Sequence, residues 1–268
     1  MTTNHSQESN SEKKTAMDGS LRDRVALITG GGTGIGAATA LCFAKRGAAV
    51  AVHFHTSQHA ASEVVERIES LGGRAVAVCG NLTNSVEASS VVDAAVEHFG
   101  RLDILVNNAG SPIARTSLET CSDELWMEAL ATNLSSAFFV ARRAIPHLRQ
   151  SGNGAIVNNL SLAVQTGGAN GAGPYAIAKG GLQVMTRTLA KELAPQVRVN
   201  AVMPGVIETP HHERFTTPSR MTQYMQETPL KRNGVPAEVA EAIVFLASDA
   251  ARFINGALLD INGGRFLR

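Results

Sequence analysis

Short apolar, β-branched runs alternate along this chain with longer segments in which apolar residues recur every three to four positions. The runs RVALIT (24–29), AAVAVHF (48–54), RAVAVC (74–79), LDILVNN (102–108), GAIVNNLS (154–161), VRVNAVM (197–203) and ALLDING (257–263) predict seven strands, with about six helices between them. Apolar residues fill almost every position of these runs. That pattern belongs to strands buried on both faces, in a parallel sheet covered by crossover helices. The expected fold is α/β: a single-domain, Rossmann-like, doubly wound parallel sheet of about seven strands with helices on both faces.

No shift in composition divides 21–268, so one domain is expected there, after a disordered polar tail at 1–20. The connection 206–235 lacks a strand signal, and a connection of that length in a compact domain reads as a substrate loop. The charge balance is even, with 24 basic and 23 acidic residues, so no basic field points to nucleic acid or an anionic membrane. No segment approaches the length of about eighteen apolar residues needed to span a bilayer. Cys42, Cys79 and Cys121 are far apart and odd in number, which fits reduced thiols in a cytoplasmic protein better than a disulfide framework.

TGGGTGIG (29–36) follows the first strand and opens an apolar helix. Gly30 permits a tight turn, Gly34 lets backbone approach a pyrophosphate, and Gly36 allows close packing of helix on strand, with the helix N-terminus favouring the anion. Tyr175 and Lys179 in YAIAK lie one helical turn apart and project from one face, with Pro174 suited to the first turn. An ammonium beside a phenol lowers its pKa from about 10 by roughly one to three units, toward the range of a usable acid or base. On spacing alone a pair of ordinary surface residues is the preferred reading, because such pairs are common. His53, His55 and His59 have no carboxylate or cysteine to complete a metal site, and none is assigned. His211 and His212 read as solvated residues of the substrate loop, and GGANGAGP (167–174) as a pliable wall of the substrate pocket.

Taken together, TGGGTGIG, NNAG (107–110), Asn133 in ATNLSSAF, Ser161 in IVNNLS, YAIAK and PGVIET (204–209) occur in the order seen in the short-chain dehydrogenase/reductase family, which this chain resembles from about residue 21 onward. The closing segment PAEVAEAIVFLASDAARFINGALLDINGG is similar to that family too. The resemblance implies an NAD(P)-dependent oxidoreductase that moves a hydride between nicotinamide and a ketone or secondary alcohol carbon. Tyr175 would exchange the proton, Lys179 would lower its pKa and hold the nicotinamide ribose, Ser161 would bond the reacting oxygen, and Asn133 would bend its helix around a proton-relaying water. Ser161 sits in NNLSL, where the family usually has NISS, and fourteen residues before Tyr175, where thirteen is commonest.

The implied cofactor contacts are Gly30, Thr33, Gly34, Ile35 and Gly36 in the glycine loop, Asn81 and Leu82 after the third strand, and Asn108, Ala109 and Gly110 after the fourth. Tyr175, Lys179, Pro204 and Gly205 join them, and Ile207 and Thr209 would hold the carboxamide. Among family members the chain most resembles 3-oxoacyl-thioester reductases and sugar or polyol dehydrogenases, which leaves the substrate a small carbonyl or alcohol compound, and the family suggests a homotetramer. The alternatives are a dinucleotide-sensing regulator without turnover, which would be expected to lose the tyrosine or the lysine, and an epimerase or dehydratase. At the end of the second strand, where NAD-preferring relatives carry a carboxylate, this chain has Phe54, followed by His55, Thr56 and Ser57. NADP(H) is therefore the expected cofactor, with NAD(H) possible, and the preference is expected to strengthen in mild acid, where histidine is protonated.

Overall fold

The computed structural model describes residues 20–168, 171–210 and 216–267. His211 and His212, Ala169 and Asn170 of the expected pocket wall, and all of the expected tail except Ser20 lie outside the described residues. Seven strands form one parallel sheet: β1 Val25–Ile28, β2 Ala49–Phe54, β3 Arg74–Cys79, β4 Ile104–Asn107, β5 Gly154–Asn159, β6 Val197–Pro204 and β7 Leu258–Ile261, in the order β3-β2-β1-β4-β5-β6-β7. Each strand falls within or beside a predicted run. Five of the seven are buried at every position, including the polar residues His53, Asn107, Asn158, Asn159, Arg198 and Asn200 that interrupt their apolar runs.

Helices cover both faces. On one lie α1 Gly34–Lys45, α2 Gln58–Ser70 and, late in the chain, α9 Pro236–Ala247; Phe43, Ile68 and Ile243 pack there on Ile28, Val50 and Val106. The other face is covered by α3 Ser85–Phe99, α4 Asp123–Leu130 leading into α5 Ser136–Gln150, and α7 Gly173–Glu192, with Val92, Leu148 and Leu193 on Leu27, Leu105 and Ile156. Burying each such side chain contributes about 1.5–3 kcal/mol. A short helix, α6 Ala163–Thr166, follows β5. The Arg198 guanidinium of β6 donates to the carbonyls of Leu246, Ala247, Ser248 and Ala251, and so caps the C-terminal end of α9 from within the core.

Three departures from the sequence reading bear on function. The connection 206–235 carries a helix, α8 Pro218–Glu227, capped by the Thr217 hydroxyl, which accepts from Arg220 N at 3.3 Å. Met221, Tyr224 and Met225 give it an apolar face at helical spacing, with Tyr224 buried, a signal shorter than those of the longer helices. The two ends of the connection are clasped together, Glu208 N donating to Gly234 O at 2.8 Å and Gly234 N to Val206 O at 2.9 Å. Between α4 and α5 the helix loosens into a π turn at Ala131–Ser135, a local geometry the apolar pattern does not signal, with Asn133 at its middle.

The third departure is His53, which the sequence places at the end of a strand near an expected ligand. It is buried, and both ring nitrogens are used by backbone: Nδ1 accepts from Gly30 N at 3.0 Å, so the proton sits on Nε2, 3.0 Å from the carbonyl of Gly80. One imidazole thus ties β2 to the glycine turn and to the end of β3. Burial holds its pKa below the ordinary 6.5, against the Gly80 hydrogen bond, which works the other way. The unfolded chain therefore takes up this proton at a higher pH than the folded chain does. Stability from His53 is present above about pH 6.5 and is lost as the pH falls below it. Urea unfolding between about pH 5 and pH 7.5 should show that loss. His53→Leu should be less stable at neutral pH by about 2 kcal/mol, for the stranded Gly30 and Gly80 groups, yet lose less on acidification; an equal acid slope in both proteins would assign the effect to other groups.

Candidate active site

A cavity of about 410 Å³ opens at the C-terminal edge of the sheet, beside the switch between β1 and β4 where the strand order reverses. Crevices at that point of a doubly wound sheet are where ligands bind. One wall is the glycine loop. Gly30 is in the left-handed region at φ +61°, as the turn out of β1 requires, and a Cβ on Gly36 would collide with the Gly30 carbonyl and lie 2.6 Å from Asn108 Nδ2. Thr33 caps α1 without a side-chain hydrogen bond, and no acidic residue occupies the first turn. The first-turn amides are left for an anion, and the residues present fit the pyrophosphate of a dinucleotide.

Amide and hydroxyl side chains lock the strand ends that form the floor. Thr29 Oγ1 accepts from Asn108 N at 2.9 Å and Ala109 N at 3.0 Å while donating to Val106 O at 3.2 Å. Asn108 Nδ2 donates to Thr29 O at 2.9 Å, and its own Oδ1 accepts from Asn159 Nδ2 at 2.9 Å. Deeper in the sheet, Asn107 Nδ2 donates to Asn158 Oδ1 at 2.9 Å, and Asn158 Nδ2 to Thr186 Oγ1 at 2.8 Å. Two paired asparagines, 107–108 and 158–159, thereby tie β1, β4, β5 and α7 into one network.

Tyr175 and Lys179 project from the first turns of α7 toward this floor. The buried Lys179 ammonium donates to Asn159 O at 2.7 Å and lies 5.9 Å from the centre of the Tyr175 ring; burial pulls its pKa down to about 8. Burial pushes the Tyr175 phenol above its ordinary value, and a hydrogen bond with the Ser161 hydroxyl works in the opposite direction. The lowering expected from Lys179 is thus reversed. The pocket withholds the water that would solvate a phenolate, and the lysine's own charge is weakened by the same burial. Asn133, in the π turn, accepts from Ser111 N at 2.9 Å and donates to Ser111 O at 2.7 Å and Ala129 O at 3.0 Å. Gly110 lies between the two functions: a Cβ there would be 2.7 Å from Asn133 Oδ1 and 3.0 Å from Lys179 Nζ, so only glycine leaves them this close.

Most of the expected site residues meet in this cavity. Gly30, Thr33, Gly34 and Ile35 line one wall; Asn108, Ala109 and Gly110 line the floor; Ser161, Tyr175 and Lys179 stand opposite; Pro204, Gly205, Ile207 and Thr209 close the side toward α8. Gly36 packs behind the loop, and Asn133 behind Gly110. His55, Thr56 and Ser57 are exposed beyond the end of β2, away from the cavity lining. Asn81 Oδ1 accepts from Thr83 N at 3.1 Å and Thr83 Oγ1 at 2.8 Å, and Leu82 is buried with Val78 and Val91 under α3. Residues not foreseen include Thr29 and Asn159, for which the repeated asparagine pair was the available signal, and Arg115, Arg220, Tyr224 and Arg265, which line the cavity from loops and α8.

A family model described as enoyl-(acyl carrier protein) reductase matches residues 30–265. The 3-oxoacyl-[acyl-carrier-protein] reductase FabG of Thermotoga maritima is 40% identical over 246 residues, covering 91% of this chain and 98% of that protein. The cis-4-hydroxycyclohexanecarboxylate dehydrogenase of Sinomonas cyclohexanicum is 37% identical over 249 residues, 92% of this chain and 98% of that one. A solved 7α-hydroxysteroid dehydrogenase, complexed with NADH and 7-oxo glycochenodeoxycholic acid, superposes with a TM-score of 0.88 at 32% identity, over 94% of this chain and 96% of that chain. A glycine loop on an uncapped helix, a serine, tyrosine and lysine meeting across it, and relatives of this kind along nearly the whole length place the chain in the short-chain dehydrogenase/reductase family.

Proposed function

We propose that the protein is an oxidoreductase that prefers NADP(H) and interconverts a ketone and a secondary alcohol, with Tyr175 as the acid and base. The observation that carries this reading is the meeting of Ser161, Tyr175 and Lys179 on the side of the cavity that faces the glycine loop. A bound nicotinamide dinucleotide supplies or takes up the hydride. The first-turn amides of α1 with Thr33 receive its pyrophosphate, Lys179 and the Asn108–Gly110 backbone its nicotinamide ribose, and Ile207 and Thr209 its carboxamide. His55, Thr56, Ser57, Asn81 and Leu82 serve the adenosine end, outside the cavity.

In reduction the Tyr175 hydroxyl gives its proton to the carbonyl oxygen while Ser161 holds that oxygen by a hydrogen bond; in oxidation the proton returns. The raised phenol pKa keeps Tyr175 protonated at neutral pH, as an acid must be. Lys179 places a positive charge beside the phenolate formed when the proton leaves, and Asn133, bonded to Ser111 on the far side of Gly110, orients the path by which the proton is replaced. The relatives' names describe a 3-oxoacyl compound and a hydroxycyclohexane carboxylate, both reacting at a ketone or secondary alcohol carbon. Residues 21–268 act as one domain with 206–235 as its substrate loop, in a cytoplasmic homotetramer joined through α5 and α7, where Phe138, Ile177 and Val184 are exposed. No helix among the described residues is long and apolar enough to cross a membrane.

Tyr175→Phe removes only the phenolic proton. Turnover should fall about a hundred- to ten-thousandfold with cofactor affinity unchanged; a variant retaining more than about a tenth of the rate in a reaction limited by chemistry would remove Tyr175 as the acid. For Lys179, carbonyl reduction should hold level up to about pH 8 and decline above it as the ammonium loses its proton. Lys179→Met should lower both turnover and cofactor affinity, and an unchanged affinity would delete the ribose contact. For the cofactor, kcat/KM with NADPH should exceed that with NADH, and the ratio should fall in His55→Ala. A ratio favouring NADH would contradict the preference.

A further inference from the structure

The charge around the cavity is one-sided. Its lining among the described residues holds four cationic side chains, Arg115, Lys179, Arg220 and Arg265, and no carboxylate, in a chain whose formal net charge is only +1. Lys179 belongs to the catalytic group, and the arginines stand apart from it. Arg220 comes from α8, in the middle of the clasped connection, and Arg265 from the segment after β7.

Both guanidinium groups lie over the buried ring of Tyr224, Arg220 at 4.8 Å and Arg265 at 4.4 Å from its centre. Two like charges held at one ring repel each other, and among the described residues a single carboxylate, Glu227, stands against them. Glu227 accepts from Arg265 at 2.5 Å and from Gln223 at 2.6 Å, while Gln223 in turn accepts from Arg220 at 3.0 Å. Arg220 forms no ion pair among the described residues, and its Nε is buried without a partner. An anion placed between the two forks would satisfy that donor and offset the repulsion, and a planar oxyanion matches the guanidinium geometry.

The sheet order decides which anion. Arg265 follows β7, the edge strand farthest from β2 and β3, so the adenosine end of a dinucleotide lies across the molecule. The pyrophosphate is already provided for by the uncapped N-terminus of α1. We propose that the substrate carries a carboxylate or phosphate group, and that Arg220 and Arg265, both held over the ring of Tyr224, receive it in the cavity. This rests on the oxidoreductase reading and assigns the connection 206–235 its selectivity.

The test is calorimetric titration of the protein loaded with oxidised cofactor, using benzoate, phenyl phosphate and benzamide as probes. Benzoate or phenyl phosphate should bind at least about tenfold more tightly than the isosteric benzamide, and Arg220→Gln or Arg265→Gln should remove most of that difference, while Arg220→Lys keeps part of it. Whichever oxyanion binds more tightly identifies the group as carboxylate or phosphate. Equal binding of benzamide, no binding of either oxyanion, or a preference that survives both glutamine variants would overturn the proposal. So would a loss of cofactor affinity in Arg220→Gln with oxyanion binding unchanged, since the arginine would then serve the dinucleotide. Failure of a ketone panel to oxidise NADPH would count against the oxidoreductase reading itself, whatever the titrations show.

Discussion

Seven strands running in one direction deliver all their C-terminal ends to a single edge, and most of the cavity lining hangs from that edge. The glycine turn leaves β1, Asn108 to Gly110 leave β4, Ser161 leaves β5, and Pro204 to Thr209 leave β6. Parallel pairing requires long crossovers, and those crossovers are the helices that build the two cores. Tyr175 and Lys179 sit at the start of one of them, which is why they reach the same floor. The edge also exposes the last polar groups of each strand, and the asparagines and Thr29 bond these to one another so that the floor is set before a ligand arrives.

The electrostatics of the site follow from its burial. A cation enclosed with one backbone carbonyl is costly, and the protein accepts that cost at Lys179, whose pKa falls to about 8. The neighbouring phenol moves the other way, away from neutrality, so burial brings Lys179 toward neutral pH and holds Tyr175 in its protonated form. Elsewhere in the lining, the guanidinium pair at Tyr224 adds positive charge. The cavity therefore joins a protein-solvated catalytic floor to an electropositive wall.

The fold was legible because its signals are local. The run 74–79 became β3 residue for residue, the run 197–203 stopped one residue short of β6, and the other five were overestimated by one to three positions, as where Asn108 turns away from β4 to bond Thr29. The glycine loop and the tyrosine and lysine pair were legible as spacing, and Ser161 lies beside Tyr175 despite its offset, hydrogen-bonded to the phenol. The role of His53 was not legible, since its partners are backbone groups 23 and 27 residues away. Nor was the direction of the Tyr175 shift, which depends on how much water the folded pocket admits. Helix α8 escaped although Met221, Tyr224 and Met225 mark one apolar face, because that stripe spans little more than one turn, and with it went the arginine pair, which exists only once β7 brings Arg265 beside the loop.

The central claim is that this edge assembles a site for hydride transfer between nicotinamide and a carbonyl carbon. Its most direct measurement uses reduced cofactor carrying deuterium at the transferable C4 position, with the best substrate from a ketone panel and isotopic analysis of the alcohol formed. Deuterium is expected on the carbinol carbon, with a primary isotope effect on kcat/KM. Alcohol formed without the label, or cofactor oxidised with its deuterium recovered in water, would contradict direct transfer at this site.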